Sequence, residues 1–238
     1  MELTSLKSPN FNQKSRNIKD IKFIVIHYTG MQSLRASLKR LCNPIYKVSS
    51  HYLIDRDGKI FQIVKDNKIA WHAGKSKWNK IKNLNKNSIG IELVNKGHNY
   101  GYEKFTSAQI KKLVQLCIAL KKKYKIDKSC ILGHSDIAPL RKKDPGEKFP
   151  WFFLSKKGLG VWYKKVNKNS YFKKKKNLRN IFFKNLHKIG YRYFNKIKSS
   201  KSDKIIIKAF QRRYLQDQVN GVISKKTFII SDFLANKR

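Results

Sequence analysis

Three short apolar segments constrain the fold of this chain more than any other feature of its sequence. Residues 21–27 (IKFIVIH) and 129–134 (SCILGH) are apolar runs that end in a histidine, and residues 87–95 (NSIGIELVN) alternate between two faces. Runs of this length are typical of strands buried in a sheet. Helical patterns separate the three segments, so the sequence predicts an α/β domain.

Local patterns predict the elements around these strands. Leucines recur at helical spacing within residues 31–42, and residues 50–64 (SHYLIDRDGKIFQIV) predict a hairpin that turns at Asp-Arg-Asp-Gly. Thr106 and Gln109 form a capping-box pair, which predicts that a helix begins there and continues through residues 110–124.

The sequence changes character after Trp151. Residues 164–176 are polar and rich in lysine, which predicts a linker. Three helical patterns follow, at 177–190, 203–214 and 224–236, and they predict a small all-α three-helix domain. The predicted organisation is an N-terminal extension (1–20), an α/β domain (21–163), a linker (164–176) and a helical domain (177–238).

The chain is strongly basic, with 55 lysine and arginine residues, 14 aspartate and glutamate residues and a formal net charge of +41. Such a charge favours a polyanionic partner, which is nucleic acid, an anionic membrane face or acidic wall polymer. The basic residues are 45 lysines and 10 arginines, whereas readers of base edges favour arginine. We therefore expect no specific nucleic acid, and a compositional bias towards lysine stays open as an alternative.

The sequence also limits the classes of protein to consider. No apolar run approaches the roughly 18 residues that span a membrane. The first twenty residues lack the apolar core of a signal peptide, so we expect a cytoplasmic protein, with export by an unrecognised route as the alternative. Cys42, Cys117 and Cys130 are odd in number and form no C-x-x-C pair, so no disulfide framework or cysteine-rich zinc site organises the fold.

Ionisable residues at the strand ends suggest a metal centre. His27 and His134 each close an apolar strand, and Asp144 follows ten residues after the second histidine. Two imidazoles and one carboxylate are a ligand set of catalytic zinc, which keeps a fourth position for water. The alternative is that both histidines are satisfied strand-end residues and that Asp144 only begins an Asp-Pro-Gly turn.

Glu92 interrupts the apolar strand 88–94, where an uncompensated carboxylate is costly. Partial burial raises the pKa of a carboxyl group and suits it to act as a general base, and Gly90 on the same face leaves room for a ligand or water. Lys142 lies two residues before Asp144, where its charge can stabilise an oxyanion. A strand carboxylate paired with one of the many lysines is the alternative for Glu92.

Five stretches within residues 20–162 carry a resemblance to a known family: IVIHYTG, SSHYLIDRDGKIFQIV, AWHAG, NSIGIELVN and GHSDIAPLRKKDPGEKFPW. Together they resemble the type 2 zinc N-acetylmuramoyl-L-alanine amidases, the family that includes phage T7 lysozyme. The last stretch is typical of the bacterial branch that acts on muropeptides and wall polymer. The resemblance implies a central mixed β-sheet flanked by helices.

The resemblance also implies a reaction. Family members hydrolyse the amide between N-acetylmuramic acid, or its anhydro form, and the L-alanine of the peptidoglycan stem peptide. Matched by position, His27, His134 and Asp144 would bind one zinc ion. Glu92 and Lys142 would be the catalytic residues next to that ion.

Two other stretches would contact the wall. Trp71 and His72 match a segment of the family's substrate groove. Residues 205–227 resemble the second half of a three-helix peptidoglycan-binding module, with Asn220 in place of the usual aspartate before Gly221. The resemblance therefore implies peptidoglycan or muropeptides as partners.

Two other function classes stay open at this point. One is a non-catalytic peptidoglycan-recognition protein, and the other is a basic nucleic-acid-binding protein on the same scaffold. Recognition relatives typically lack a metal ligand, whereas this chain has all three, which favours an enzyme.

Overall fold

The computed structural model of the protein describes residues 3–164 and 177–237. The predicted linker therefore lies, beyond Lys164, outside the described residues. Ten strands are present in the described part of the chain, and most are short because turns and loops interrupt them. The strands are β1 (Thr4–Ser5), β2 (Phe11–Asn12), β3 (Phe23–Tyr28), β4 (Tyr52–Ile54), β5 (Ile60–Gln62), β6 (Ile69–Ala70), β7 (Lys77–Trp78), β8 (Ile81–Lys82), β9 (Ser88–Leu93) and β10 (Ile131–Gly133).

Seven α-helices lie among the described residues. The capping box predicted at Thr106 and Gln109 is present, since each side chain accepts from the backbone N–H of the other residue. Ser224, predicted to begin the last helix, accepts from the N–H of Thr227. The helices are α1 (Leu34–Cys42), α2 (Ser107–Lys123), α3 (His134–Ile137), α4 (Trp151–Lys156), α5 (Leu178–Ile189), α6 (Asp203–Tyr214) and α7 (Lys225–Asn236).

The main sheet has six strands in the order β1-β5-β4-β9-β3-β10. The three strands predicted from the apolar segments, β9, β3 and β10, are parallel neighbours. Only the β4–β5 hairpin pairs antiparallel in this sheet, and its turn uses Gly58 at φ +92°. The implied mixed sheet with flanking helices is therefore confirmed.

The two faces of the sheet pack on different helices. Ile24, Ile26, Ile89 and Ile91 are buried in one cluster with the apolar face of α2. Because side chains alternate along a strand, Val25 and His27 of β3 and Glu92 of β9 face the other way. This alternation confirms that the isoleucines of β9 face the core and that Glu92 lies on the opposite face.

The predicted N-terminal extension is built into the sheet. β1 lies parallel to β5 at the sheet edge, and β2 pairs antiparallel with β6. Arg16 is buried, and its guanidinium donates to the carbonyl oxygens of Asp66, Asn85 and Ser88. These contacts anchor the chain entering β3 to the loop that precedes β9.

Helices α5–α7, which we call the helical unit, cover the other face of the sheet. Val25 and Leu132 of the sheet share one buried cluster with Phe182, Phe210 and other residues of the helical unit. The backbone N–H of Asn79 also donates to the Gly190 carbonyl at 2.9 Å. The predicted domain boundaries stay a prediction, and the described residues on either side of the linker share a core.

No helix among the described residues is long and apolar enough to cross a membrane.

Candidate metal centre

Sheet register places two of the predicted site residues side by side. His27 of β3 is paired with Glu92 of β9, and Val25 is paired with Gly90 two residues earlier along both strands. Both pairs therefore point to the same face, away from α2. Because the strands are parallel neighbours, the imidazole and the carboxylate meet at the carboxyl end of the sheet.

The other two candidate ligands come from one compact loop. β10 ends at Gly133, and His134 is the first residue of α3 rather than the last of the strand. The N–H of Ser135 donates to the Asp144 carbonyl at 2.8 Å, which ties both ligands together. Tyr102 donates to the Pro145 carbonyl at 2.6 Å and supports the loop from outside.

The three candidate ligands converge on one point. His27 Nδ1 and His134 Nδ1 lie 2.9 Å apart, and Asp144 Oδ2 lies 3.0 Å from each nitrogen. All three side chains are buried. Three ligands at zinc–ligand distances of about 2.0–2.1 Å in a tetrahedral arrangement lie roughly 3.3 Å from one another, so the donor set has a size and chemistry that fit zinc.

Burial sets the protonation state that a metal requires. Burial, and next the neighbouring His134, lowers the pKa of His27 to about 4, so its imidazole is neutral and offers a lone pair. Burial alone would raise the pKa of Asp144, but the contacts with His134 and His27 outweigh it and lower the pKa. The carboxylate is therefore ionised, as a metal ligand must be.

A chain of hydrogen bonds orients His27 from behind. Its Nε2 lies 3.1 Å from His72 Nδ1, and His72 Nε2 lies 3.2 Å from Ser88 Oγ. The Ser88 hydroxyl donates to the Leu84 carbonyl at 2.6 Å. If His27 Nε2–H donates to His72 Nδ1 and His72 Nε2–H donates to Ser88 Oγ, every group is satisfied. His27 Nδ1 is then left as the lone-pair donor, the tautomer that suits a metal ligand.

His72 is the middle member of this hydrogen-bonded path, and it also lines the cleft described below, so the substrate contact that the resemblance implies for it stays a prediction. His72 is only 5% exposed and contacts His27. Its ring also fills the space beside Gly90, which the sequence predicted for a ligand or water, since a Cβ at Gly90 would lie 2.4 Å from the imidazole. Trp71 donates through Nε1 to Asn12 Oδ1 at 2.6 Å and is not among the described residues that line the cleft below.

His51 lies next to His72, with 5.6 Å between the ring centroids. Its Nδ1 accepts from the Gly90 N–H at 3.0 Å, and its Nε2 lies 2.9 Å from Arg16 Nη2. Burial, and then the charge of Arg16, lowers the pKa of His51 to about 3. This imidazole is therefore neutral and packs behind the site.

The Glu92 carboxylate is buried and incompletely paired. It is 8% exposed, and within the described residues its Oε2 has no hydrogen-bond partner. Burial first, and then the negative charge of Asp144, raises the pKa of Glu92 to about 8, while the charge of Lys142 opposes this rise. A buried carboxylate without a partner is costly, which favours the protonated form. Because Oε2 has no partner among the described residues, it is available to exchange a proton with a molecule in the cleft.

Glu92, His134, Lys142 and Asp144 line one cleft of about 590 Å³. Lys142 thus lies where sequence reasoning predicted it, beside the donor triangle. The cleft is also lined by residues that the sequence analysis did not single out, because nothing in the local pattern marks them. These are Tyr28, Arg40, His98, Arg141 and Lys143.

Among these residues, His98 shows most clearly how the fold brings an unmarked side chain to the cleft. Its Nδ1 lies 2.7 Å from the Tyr28 hydroxyl oxygen, and its Nε2 lies 3.1 Å from Glu147. The ring also stacks on Tyr102 at 4.5 Å between centroids. The Gly-His-Asn sequence around it resembles any polar loop, so only the fold reveals that this histidine reaches the cleft.

This geometry agrees with the comparisons with known proteins. Residues 17–147 match the family described as N-acetylmuramoyl-L-alanine amidase. The chain belongs to this amidase family. The matched range contains all five residues predicted for metal binding and catalysis.

Similar amidases extend over most of the chain. N-acetylmuramoyl-L-alanine amidase AmiD of Escherichia coli is 34% identical over 232 residues, covering 91% of this chain and 83% of AmiD. The 1,6-anhydro-N-acetylmuramyl-L-alanine amidase AmpD of Haemophilus influenzae is 37% identical over 61% of this chain and 86% of AmpD.

Solved amidase structures are similar to this fold, including the helical unit. AmiD of Escherichia coli, in complex with anhydro-N-acetylmuramic acid-L-Ala-D-gamma-Glu-L-Lys, superposes with a TM-score of 0.82 at 32% identity, covering 95% of this chain and 92% of AmiD. AmpDh3 of Pseudomonas aeruginosa, in complex with anhydromuramic pentapeptide, has a TM-score of 0.82 at 28% identity, with 95% and 94% covered. The resemblance found in the sequence is therefore confirmed.

Proposed function

We propose that this protein is a zinc-dependent N-acetylmuramoyl-L-alanine amidase. It hydrolyses the amide between N-acetylmuramic acid, including its 1,6-anhydro form, and the L-alanine of the stem peptide during wall turnover and recycling. One observation carries this proposal: two members of the buried triangle of His27, His134 and Asp144, namely His134 and Asp144, line the same cleft as the incompletely paired carboxylate of Glu92.

The donor set supports zinc as the metal. His27, His134 and Asp144 would hold it, and the cleft in front of them leaves a side open for substrate. When bound, zinc supplies Lewis-acid chemistry, because it polarises a carbonyl oxygen and makes water more acidic.

Glu92 would move the proton during hydrolysis. It accepts a proton from the attacking water and delivers one to the leaving nitrogen of L-alanine, which neutralises the amine as the amide bond breaks. The pKa of Glu92, raised to about 8 by burial and by Asp144, falls towards neutrality when a divalent positive charge is nearby. A pKa near the working pH suits both halves of this role.

Lys142 would stabilise the negative charge that develops on the carbonyl oxygen. It lines the cleft beside Glu92 and Asp144, and a fixed ammonium group at that place lowers the energy of an oxyanion. His72 would act indirectly by orienting His27. The substrate contacts implied for Trp71 and His72 stay predictions.

The charge of the cleft supports an acidic muropeptide as substrate. Arg40, Arg141, Lys142 and Lys143 all line it. The ligand complexed with AmiD contains D-gamma-Glu, a residue joined through its side chain and therefore carrying a free α-carboxylate. Cationic side chains around the cleft would pair with such carboxylates.

A digest of purified peptidoglycan and of anhydro-muropeptides, analysed by mass spectrometry, tests this proposal. We expect release of stem peptides that begin with L-alanine, with the sugar chains left intact. Chelation should abolish this release and added zinc should restore it. Parallel reactions with the two substrates measure the preference between intact wall and the anhydro fragment.

A matched variant separates catalysis from recognition. Glu92→Gln should bind one zinc ion per chain and release no peptide. If the wild-type protein binds zinc and muropeptide but cleaves neither substrate, the enzyme proposal is wrong and a recognition protein is favoured. If it binds DNA in preference to muropeptide, the nucleic-acid alternative is favoured.

A further inference from the structure

Asp136 is a buried acidic residue that neither metal binding nor catalysis uses. It lies two residues after His134, within α3, and is 1% exposed. A buried carboxylate is costly unless charged or polar donors satisfy it. The identity of its donors therefore shows what stabilises the loop that carries His134.

Three donors satisfy the Asp136 carboxylate. Oδ2 accepts from the Gly133 N–H at 2.8 Å, which closes the backbone around His134. Oδ1 accepts from the Tyr191 hydroxyl at 2.6 Å, and Oδ2 also accepts from Arg213 Nη1. Among the described residues, both side-chain donors follow the linker, one after α5 and one in α6.

Arg213 is held in place on several sides. Its Nη2 donates to the Ile131 carbonyl of β10 at 3.0 Å, and its guanidinium lies 4.1 Å from the centre of the Trp151 ring. Arg213 is 3% exposed. The guanidinium thus bridges the strand that leads to His134 and the helix that begins there.

The position of Tyr191 is also fixed by its surroundings. It is fully buried, and its ring packs edge-on against Trp78 at 5.0 Å between centroids. Burial, and next the negative charge of Asp136, raises the pKa of Tyr191 well above its usual value. The hydroxyl therefore stays protonated and serves as a donor to the carboxylate.

We propose that the helical unit positions a metal ligand. Tyr191 and Arg213 hold the Asp136 carboxylate, and this carboxylate in turn holds the Gly133–Asp136 turn in the shape that aims His134 Nδ1 at the donor triangle. The two residues are positioning residues, since neither lies in the cleft. On this basis the region after the linker is part of the metal centre's support, whatever else it binds.

The inference rests on the proposed metal site, and its physical basis is the contrast between the two histidines. His27 lies inside β3 with hydrogen-bonded strands on both sides, so the sheet fixes its backbone. His134 begins a one-turn helix at the sheet edge, because β10 has only β3 as a neighbour. A ligand in such a place needs a separate support, and supporting hydrogen bonds typically change metal affinity by 10–100-fold.

Variants of the full-length protein test the proposal. Tyr191→Phe removes one hydrogen bond and keeps the packed ring, so the variant should fold and bind zinc about 10-fold more weakly in a chelator competition. Arg213→Met should weaken zinc binding further, and Arg213→Lys should restore part of the affinity because it keeps the charge. The visible absorption of the cobalt-loaded variants should change, since it reports the geometry of the ligands.

Arg179→Met is the matched control. Arg179 pairs with Asp203 at 2.7 Å within the helical unit, away from α3. This variant should lower the melting temperature and leave zinc affinity and the cobalt spectrum unchanged.

Each outcome decides one question. If Tyr191→Phe binds zinc as tightly as the wild-type protein with the same cobalt spectrum, the positioning role is wrong, even if Arg213→Met fails to fold. If Arg179→Met weakens zinc binding as much as Tyr191→Phe does, general loosening explains the effect and the proposal is again wrong. A wild-type protein that binds no zinc would instead disprove the metal centre itself.

Discussion

Two buried carboxyl groups, one in a turn beside the sheet and one in the cleft, have pKa values shifted in opposite directions. Asp66, in the turn after β5, is 9% exposed, and Glu92, in the cleft, is 8% exposed. Hydrogen bonds from Tyr124 and Tyr52 outweigh burial and lower the pKa of Asp66. Burial and the charge of Asp144 raise the pKa of Glu92 to about 8.

The partners explain the difference. Asp66 accepts from the hydroxyls of Tyr52 at 2.7 Å and Tyr124 at 2.5 Å, and from Lys123 Nζ at 3.2 Å. Glu92 Oε2 has no partner among the described residues. Similar burial therefore accompanies a lowered pKa at Asp66 and a raised pKa at Glu92, and hydrogen bonding decides which.

The largest expected effect belongs to Glu92→Gln. This change keeps the size of the side chain and removes its ability to accept a proton. We expect turnover of muropeptide to fall about 10³-fold or more, with one zinc ion per chain retained and no loss of melting temperature. Turnover that survives this change would place the general base elsewhere in the cleft.

The pH dependence of stability should have opposite signs at the two sites in the metal-free protein. The Glu92 carboxyl group has an ordinary pKa of 4.5 and a pKa of about 8 in the folded protein. Between these two pH values it is ionised in the unfolded chain and protonated in the folded protein. Wild-type stability should therefore fall relative to Glu92→Gln as pH rises through this range, by roughly 3–5 kcal/mol.

Asp66 should show the reverse dependence. Its folded pKa lies below its ordinary value of 3.8, so its stabilisation is present above pH 3.8 and is lost as pH falls below it. Denaturant unfolding of wild type, Glu92→Gln and Asp66→Asn with chelator present, over a pH series, measures both trends. Two trends of the same sign would refute the comparison.

Asp66→Asn should reduce stability without changing the chemistry. Hydrogen bonds to a charged acceptor are stronger than those to a neutral amide, so we expect unfolding to become easier by about 2–3 kcal/mol at neutral pH. Turnover per folded molecule should stay at the wild-type value. A large fall in turnover with normal stability would mean that Asp66 also supports the cleft.

His72 offers an intermediate case, since both its ring nitrogens have hydrogen-bond partners and it contacts the candidate metal ligand His27. His72→Phe removes the acceptor for His27 Nε2, and zinc affinity should fall about 10–100-fold. His72→Asn places an amide oxygen near the Nδ1 position and should retain most of the affinity. Chelator competition on both variants measures the difference, and equal affinities would remove His72 from the support of the metal.

The smallest effect is expected at Lys123. Its side chain is 60% exposed although it contacts Asp66, so solvent screens the pair. Lys123→Ala should change the unfolding free energy by less than about 1 kcal/mol. A loss as large as that of Asp66→Asn would show that the ammonium, rather than the two tyrosines, stabilises the buried carboxylate.

Much of this fold could be predicted because its signals are local. The apolar segments that became β3, β9 and β10, the capping box of α2 and the three helices after the linker each depend on residues close in sequence. Hydrophobic period and capping chemistry act within a few residues. The same is true of the alternation along β9 that directs Glu92 away from the isoleucines.

The candidate metal ligands could also be named from the sequence. Their spacing along the chain alone, however, did not show that they lie together in the folded protein. His27 and His134 lie 107 positions apart in sequence, yet their Nδ1 atoms lie 2.9 Å apart. The parallel pairing of β3 with β10 brings them together. Resemblance to a family supplied what the residue pattern left open.

The sequence by itself therefore determined the strands β3, β9 and β10, the β4–β5 hairpin, the caps of α2 and α7, and which side chains are chemically able to bind a metal or carry a proton. Only the tertiary structure decided which buried polar groups are satisfied. It paired Asp66 with two tyrosines, left Glu92 Oε2 without a partner among the described residues, placed His72 behind His27, and joined Asp136 to Arg213 across 77 positions of sequence. The physical reason is that hydrogen bonds and charges act over a few ångströms in space, whereas the sequence records only which groups are neighbours along the chain.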